Sequence, residues 1–359
     1  MGETRAEAMA TAIDPRLARV AHPRVLELIL LPTEHCNFRC TYCYEDFKIG
    51  RMAPDIVTGV KRWIDSRAGD LSLLSLSWFG GEPTLALPIV LEVTRHGRDA
   101  LLRSAMPKAR FQASMTTNAY RLTPDVFAEL AEAGVTTYQI TLDGPRAIHD
   151  RRRLRADGKG TFDVIWGNLA GISGRAHELP PDVRIELRLH YDGVSADALE
   201  PLVKSICNEL LPSGLFNIRF HEIERLGGAN DRDIAIPTQS DHQRIRELSE
   251  KLAGAAGQPA SEVAADMNGY VCYAAKANAF VVRADGRIGK CTVALNDPRN
   301  DVGRLNADGR IDWHPGRIDP WLRGITTMEP HVLACPLDGM ESFLQRELRQ
   351  LSIDAASVG

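Results

Sequence analysis

Three cysteines, Cys36, Cys40 and Cys43, stand at intervals of four and three residues in the segment HCNFRCTYCYEDF. Thiols this close can share one loop. A [4Fe–4S] cube has an iron at each of four corners; a tight loop reaches three and leaves the last without a protein ligand. An iron so exposed can bind a small molecule and pass it an electron. Two other readings are open. One is a zinc site, although zinc proteins usually supply CxxC pairs from two places and only His35 stands nearby as a further ligand. The other is a trio of buried structural thiols. The chain carries seven cysteines in all. An odd number without a secretory signal argues for metal or redox use over a disulfide framework.

Other residues of reactive or binding type follow. In Gly80-Gly81-Glu82-Pro83, two glycines admit a close approach of backbone to ligand, and a carboxylate can accept from an ammonium group; the same string is also a common turn. Thr116, Thr117 and Asn118 close an apolar run, as a turn and helix cap or as the rim of a site. Thr141 precedes Arg153, whose planar fork suits a carboxylate. Arg151, Arg152 and Arg155 exceed that need and read as a solvated basic loop or as contacts to an acidic substrate segment. Gln139, His190, His221 and Glu222 are candidate proton acceptors or substrate binders. Cys272, Cys291 and Cys335 are far apart, but the first two fit Cx13GxxxxC around Gly286, and Cys335 opens a Cys-Pro-Leu-Asp string ending at Asp338. Cys207, among apolar neighbours in a helical pattern, reads as an inert buried thiol.

These residues need a frame. Strands are expected at Val25–Leu31, Leu74–Phe79, Phe111–Thr117, Thr137–Thr141, Arg184–His190 and Asn217–His221. Helical patterns fall between them, near Asp55–Arg67, Pro88–Arg103, Pro124–Ala133, Phe162–Ile172 and Ala196–Leu210. Thr123 and Pro124 form a cap with proline in the first turn, and Gly134 ends that helix. Alternation of this kind calls for right-handed parallel βαβ units. Six repeats where a closed barrel has eight predict an α/β fold, a partial (β/α)6 TIM-type barrel, with its site at the carboxyl ends of the strands. A helix at Ser240–Ala256 and an Ala/Gly/Pro-rich connection lead to a hairpin signal at Asp285-Gly286. The expected organisation is an N-terminal extension at 1–24 and the barrel at 25–235. A linker helix and connection occupy 236–267, a small cluster-binding module 268–340, and a C-terminal helix or tail 341–359. The net charge of −4, from 43 basic and 47 acidic residues, gives no case for a nucleic-acid or membrane partner. The chain has no long apolar run and no secretory signal, so the expected location is the cytoplasm.

CxxxCxxC with aromatic Tyr42 before the last cysteine resembles the signature of the radical S-adenosylmethionine (SAM) superfamily. The resemblance implies a [4Fe–4S] cluster whose open iron is chelated by the amino and carboxylate groups of SAM. Reductive cleavage would then give a 5′-deoxyadenosyl radical that abstracts hydrogen from the substrate. It further implies that GGEP meets the SAM amino group and that Thr117 and Asn118 support SAM. The stretch from Thr141-Leu142-Asp143-Gly144 to His149-Asp150 and Arg153 resembles the sulfatase-maturase pattern, in which Thr141 and Arg153 would hold the SAM carboxylate. The C-terminal cysteines resemble SPASM and twitch modules, implying one auxiliary iron–sulfur cluster on Cys272, Cys291 and Cys335, with Asp338 at the place of a fourth cysteine. Where sulfatase-type maturases carry an aspartate base, this chain has Thr292, so their reaction does not transfer with the fold.

The expected function is a radical SAM oxidoreductase that matures a ribosomally made peptide, by a side-chain cross-link or a related change. Its electron donor would be a flavodoxin or ferredoxin, and a separate protein could bind the leader peptide. A small-molecule dehydrogenase or epimerase, acting for example on an aminosugar, is the second reading, and a non-catalytic iron–sulfur scaffold the third.

Overall fold

Alternation in LLSLSW and RIELRLHY puts leucines on one face of each strand and Ser, Glu, Arg and His on the other. In the computed structural model, which describes residues 20–104, 106, 108–256 and 270–342, these strands lie side by side with helices packed on the leucine face. β1 (Val25–Leu30) is followed by β2 (Phe38–Cys40), β3 (Leu73–Trp78), β4 (Arg110–Thr117), β5 (Val135–Leu142), β6 (Arg153–Arg155), β7 (Arg184–Tyr191) and β8 (Phe216–Glu222). β1, β3, β4, β5, β7 and β8 are parallel and adjacent in that order, the arrangement of a partial barrel. The helices Pro54–Ala68, Leu87–Leu102, Pro124–Ala133, Phe162–Gly174 and Leu199–Glu209 form the crossovers. Thr123 Oγ1 accepts from the Val126 N–H at 3.4 Å, and Gly134 closes the helix between them at φ 115°. The helix expected at Ser240–Ala256 spans Gln239–Ala256.

The main core lies between sheet and helices, where Leu74, Leu76, Trp78, Leu187 and Leu189 are buried. The other face of the sheet is concave and polar. Ser77 pairs with Ser114, Thr116 with Gln139, Thr141 with Arg188, and His190 with His221 across adjacent strands. A closed barrel fills this space with branched apolar side chains; here it stays open.

The C-terminal strands extend the same sheet rather than starting a second one. β9 (Ala279–Val282) pairs parallel to β1 on the edge opposite β3, and β10 (Arg287–Gly289), β11 (Gly303–Leu305) and β12 (Ile311–Trp313) continue antiparallel. Gly286 turns the β9–β10 hairpin at φ 87°. Between them, the expected extension at 1–24, the connection at 253–265 and the tail at 341–359 lie largely outside the described residues. Among the described residues no helix is long and apolar enough to cross a membrane.

One buried ion pair joins the C-terminal strands to the barrel. Arg283 Nη2 donates to Glu34 Oε2 at 2.5 Å and Nε to Oε1 at 3.1 Å, while Nη1 donates to the Leu295 carbonyl at 2.6 Å. Both side chains are under 5% exposed. Removing one partner strands the other charge out of water, at a cost of about 3–5 kcal/mol. Glu34→Gln is therefore expected to lower the unfolding free energy by about 3 kcal/mol in a denaturant titration. The double variant Glu34→Leu/Arg283→Met should regain most of that loss; a double variant that loses clearly more than Glu34→Gln would show that a stranded charge is not what costs the stability.

Candidate functional site

The three-cysteine loop leaves β1 and is clamped at its midpoint. β2, inside the loop, pairs antiparallel with β6, which sets Cys40 directly opposite Arg153. The Thr41 N–H donates to the Arg152 carbonyl at 2.9 Å, and the Ala156 N–H to the Asn37 carbonyl at 2.8 Å. The Cys36 Sγ accepts from the Phe38 N–H at 3.3 Å. From the other side the loop rests on the turn after β3. A Cβ on Gly81 would lie 2.1 Å from the His35 carbonyl oxygen, and Gly80 takes φ 83°. Both positions thus require glycine to bring two backbones together.

Between these elements lies a cavity of about 330 Å3. Cys36, Cys40 and Cys43 line it, together with Tyr42, Gly80, Gly81, Thr117, Asn118, Gln139, Thr141, Arg153, His190, His221 and Glu222. The fold thus gathers the candidates from seven segments of the sequence. A second cavity of about 300 Å3 adjoins it, sharing Tyr44, Leu226 and Val293 as walls and reaching Leu337.

Some expectations need correction. Glu82 and Pro83 lie outside the cavity wall. The Glu82 carboxylate is fully buried and already accepts four hydrogen bonds, from the Thr84 N–H (3.0 Å) and Oγ1 (2.7 Å), Thr117 Oγ1 (2.7 Å) and the Asn118 N–H (2.7 Å). It ties the glycine turn to the end of β4; Gly80 and Gly81 are what GGEP presents to the cavity. Arg152 and Arg155 are not a solvated basic loop. Arg152 pairs with Asp192 at 2.5 Å, and Arg155 donates to the Tyr120 hydroxyl at 2.9 Å; only Arg151 is exposed. Cys207 is partly buried at the edge of the core.

The C-terminal cysteines form a second group. The Cys272 N–H donates to the Leu333 carbonyl at 2.8 Å, two residues before Cys335, and the Tyr273 hydroxyl meets Thr292 Oγ1 at 2.7 Å, next to Cys291; burial pushes the Cys272 thiol up, and the charges of Cys291 and Cys335 push it further. The Asn300 side chain pins the Cys291 loop, accepting from the Lys290 and Cys291 N–H groups (2.7 and 2.9 Å) and donating to the Cys291 and Ala294 carbonyls (2.8 and 3.0 Å). Asp338 sits one turn from Cys335, its N–H on the Cys335 carbonyl at 3.1 Å, with the side chain exposed. Thr292 and Val293, next along the Cys291 loop, line the first cavity, which brings that loop to its wall, although Cys272, Cys291 and Cys335 themselves do not line it.

The electrostatics of the first group favour a cationic guest. Burial raises all three thiols, Cys43 to about 12, and neighbouring thiols and carboxylates add to the effect on Cys36 and Cys43. As thiolates they need positive charge beside them, which an iron–sulfur cluster supplies. Among the described residues no three Cys, His, Asp or Glu side chains converge as ligands of one metal ion, and His35 is exposed. Beside Cys40, the Tyr42 hydroxyl donates to Asp143 Oδ1 at 2.9 Å and accepts from Arg153 Nη1 at 2.7 Å. Asp143 Oδ2, Arg153 Nε and both ring nitrogens of His190 are buried with no hydrogen-bond partner among the described residues, and His190 Nδ1 lies 3.9 Å from Asp143 Oδ1.

The sequence reading missed Glu45, Asp143 and Arg188. Glu45 lines the cavity, accepts from the Gly81 N–H at 2.9 Å and is pushed up to about 7 by burial. Alternation along β7 carries the signal for Arg188, since it shares a face with His190.

His149 and Asp150 brace the strap that carries Arg153. Asp150 Oδ1 accepts from the Thr161 and Phe162 N–H groups at 2.7 and 2.8 Å. His149 is fully buried, accepts from the Asp143 N–H at Nδ1 (3.4 Å) and meets Thr161 Oγ1 through Nε2 (3.1 Å). Burial holds its pKa down to about 2. The unfolded chain takes up this proton near pH 6.5 and the folded chain does not. Stability is therefore full above about pH 6.5 and falls as the pH drops toward the folded value. Between pH 6 and 5 the wild type is expected to lose about 1 kcal/mol more than His149→Asn, read by denaturant unfolding at each pH. Parallel curves would refute the assignment.

Residues 30–173 match the family model described as the radical SAM superfamily. The chain is similar to the PqqA peptide cyclase of Bradyrhizobium diazoefficiens, 28% identical over 33% of this chain and 29% of that protein. It is also similar to the AdoMet-dependent heme synthase of Methanosarcina barkeri, 34% identical over 38% of this chain and 36% of that one. The chain thus spans about a third of the length of the curated relatives it matches. The solved structure of anSMEcpe with bound AdoMet and the Cp18Cys peptide superposes with a TM-score of 0.61, at 18% identity over 84% of this chain and 83% of the other, which shows a shared fold.

Proposed function

We propose that this chain, whose residues 30–173 form a radical SAM domain, is an enzyme that modifies a peptide through hydrogen abstraction. The observation that carries the reading is the set of Cys36, Cys40, Cys43 and Arg153 around one cavity, with Cys40 and Arg153 fixed opposite each other by backbone pairing. A radical SAM domain implies a [4Fe–4S] cluster and SAM, which together supply one-electron cleavage of SAM to a 5′-deoxyadenosyl radical.

The chain's own residues do the positioning. Cys36, Cys40 and Cys43 hold the cluster. Gly80, Gly81, Thr117 and Asn118 form the floor for the SAM amino end, and Thr141 with Arg153 takes its carboxylate, Tyr42 and Asp143 keeping the guanidinium in place. Phe79, Tyr44 and Phe47 wall the space with apolar rings and exclude water from a reactive radical. Gln139, His190, His221 and Glu222 face the substrate, and His190 is the proton acceptor best placed, since its ring nitrogens have no hydrogen-bond partner among the described residues. Cys272, Cys291 and Cys335 hold one auxiliary iron–sulfur cluster beside it, with Asp338 within a turn of Cys335.

Two supports favour a peptide. The adjoining cavities give an extended chain room to lie past the reaction site. PqqA peptide cyclase and the peptide-bound anSMEcpe share domain or fold with this chain. A flavodoxin or ferredoxin would deliver electrons, and a separate protein could present the leader of the peptide.

The test uses the full chain, reconstituted anaerobically with SAM, dithionite and candidate peptides. Wild type is expected to release 5′-deoxyadenosine and to leave the peptide lighter by two hydrogens on mass spectrometry; unchanged mass with solvent deuterium uptake would mean epimerisation. Cys40→Ala should lose cluster iron and cleavage to background. Arg153→Lys keeps the charge but not the fork and should weaken SAM binding about tenfold. Iron-replete wild type that leaves SAM intact would defeat the proposal.

A further inference from the structure

The cavity contains a second guanidinium that the cofactor does not require. Arg188 lies in the middle of β7, on the polar concave face, with Thr141 of β5 and Arg219 of β8 as its cross-strand neighbours. It lines the cavity. Among the described residues no hydrogen bond or ion pair engages its side chain. The nearest acid along its own strand, Glu186, is paired instead with Arg219 at 3.9 Å. Glu186 and Glu224 act on Arg188 only from a distance, and burial disfavours its charge. Two residues on, His190 presents two buried ring nitrogens with no hydrogen-bond partner among the described residues, Asp143 Oδ1 standing 3.9 Å from Nδ1; burial, and then the positive charges around it, push its pKa down.

Arg188 is partly buried and lines the cavity, where a ligand can use the five donors of its guanidinium. A bidentate carboxylate is the planar acceptor that fits the fork. SAM brings one carboxylate, for which Thr141 and Arg153 already provide on the side of the cysteine loop. A further anion must therefore come from the other reactant.

We infer that Arg188, with the ring of His190 beside it as a second donor, is a carboxylate anchor that fixes the substrate in the cavity. This rests on the peptide-modifying reading and narrows it: the peptide carries a carboxylate close to the modified residue, on an acidic side chain or at its C-terminus. Glu222 and Glu224, which also line the cavity, repel a second acid. One anion at Arg188 is thus selected rather than a run of them.

The experiment reads binding without turnover, on the full reconstituted chain with SAM and no reductant. Three capped tripeptide probes are titrated by calorimetry: acetyl-Ala-Glu-Ala-amide, acetyl-Ala-Gln-Ala-amide, and acetyl-Ala-Ala-Ala with a free C-terminus. Wild type is expected to prefer one carboxylate probe over the neutral one by about tenfold, and the preferred probe identifies the source of the anion. Arg188→Gln should erase the preference while SAM affinity and thermal midpoint hold, and Arg188→Lys should keep part of it. Equal binding or no binding of the three probes by wild type overturns the inference. So does a preference that survives Arg188→Gln, or a variant whose loss falls on SAM instead. SAM cleavage measured on the same preparation separates the two proposals: cleavage without carboxylate preference removes only the anchor, and preference without peptide modification removes only the function.

Discussion

Three partly buried thiols and a phenol meet a buried carboxylate and guanidinium at one end of this barrel, and their shared withdrawal from water is the constraint around which the site is built. Each alone would be expensive to desolvate. The two-stranded pairing of β2 with β6 makes the group possible, because it satisfies the backbone of the cysteine loop while placing Cys40 against Arg153. Positive charge from the arginine meets the Tyr42 hydroxyl and the Asp143 carboxylate, and burial still pushes Asp143 up to about 6. The thiols remain short of positive charge, and that deficit is what a cluster of iron would relieve.

The rest of the molecule holds this arrangement still. Glu82 ties the glycine turn to the end of β4, His149 and Asp150 brace the strap, and Glu34 fastens the start of the cysteine loop to Arg283 at the end of β9. These groups are buried, charged or polar, and almost fully hydrogen-bonded. Arg188 and His190, whose side chains have no hydrogen-bond partner among the described residues, line the open space instead. Such a division between satisfied scaffold and unsatisfied wall is what a binding cavity needs: rigidity behind, capacity in front. Continuity of the sheet from β8 through β1 to β12 places the Cys291 loop against the same cavity, so the second cysteine group is held by sheet pairing rather than by a flexible tether.

Much of this was readable from local pattern. Strand alternation, the Thr123 cap and the Gly286 turn depend on neighbours within a few residues, and all are found where the pattern put them. Glu82 shows where that logic stops. A carboxylate after two glycines has the chemistry to meet an ammonium group, but whether it points at a ligand or at Thr84, Thr117 and Asn118 depends on β4, which lies some way along the chain. Arg152 and Arg155 teach the same lesson, since Asp192 and Tyr120, their partners, are not near them in sequence.

The sequence by itself determined the donors and their spacing, the parallel strand order and the polarity of the concave face, because these follow from residue type and from periods of two and 3.6. Tertiary structure alone decided which donors share a cavity, which carboxylates are already consumed by hydrogen bonds, and which guanidinium is left free. The reason is physical: hydrogen-bond capacity is finite and burial is set by long-range packing, so a side chain's availability depends on atoms hundreds of residues away as much as on its own identity.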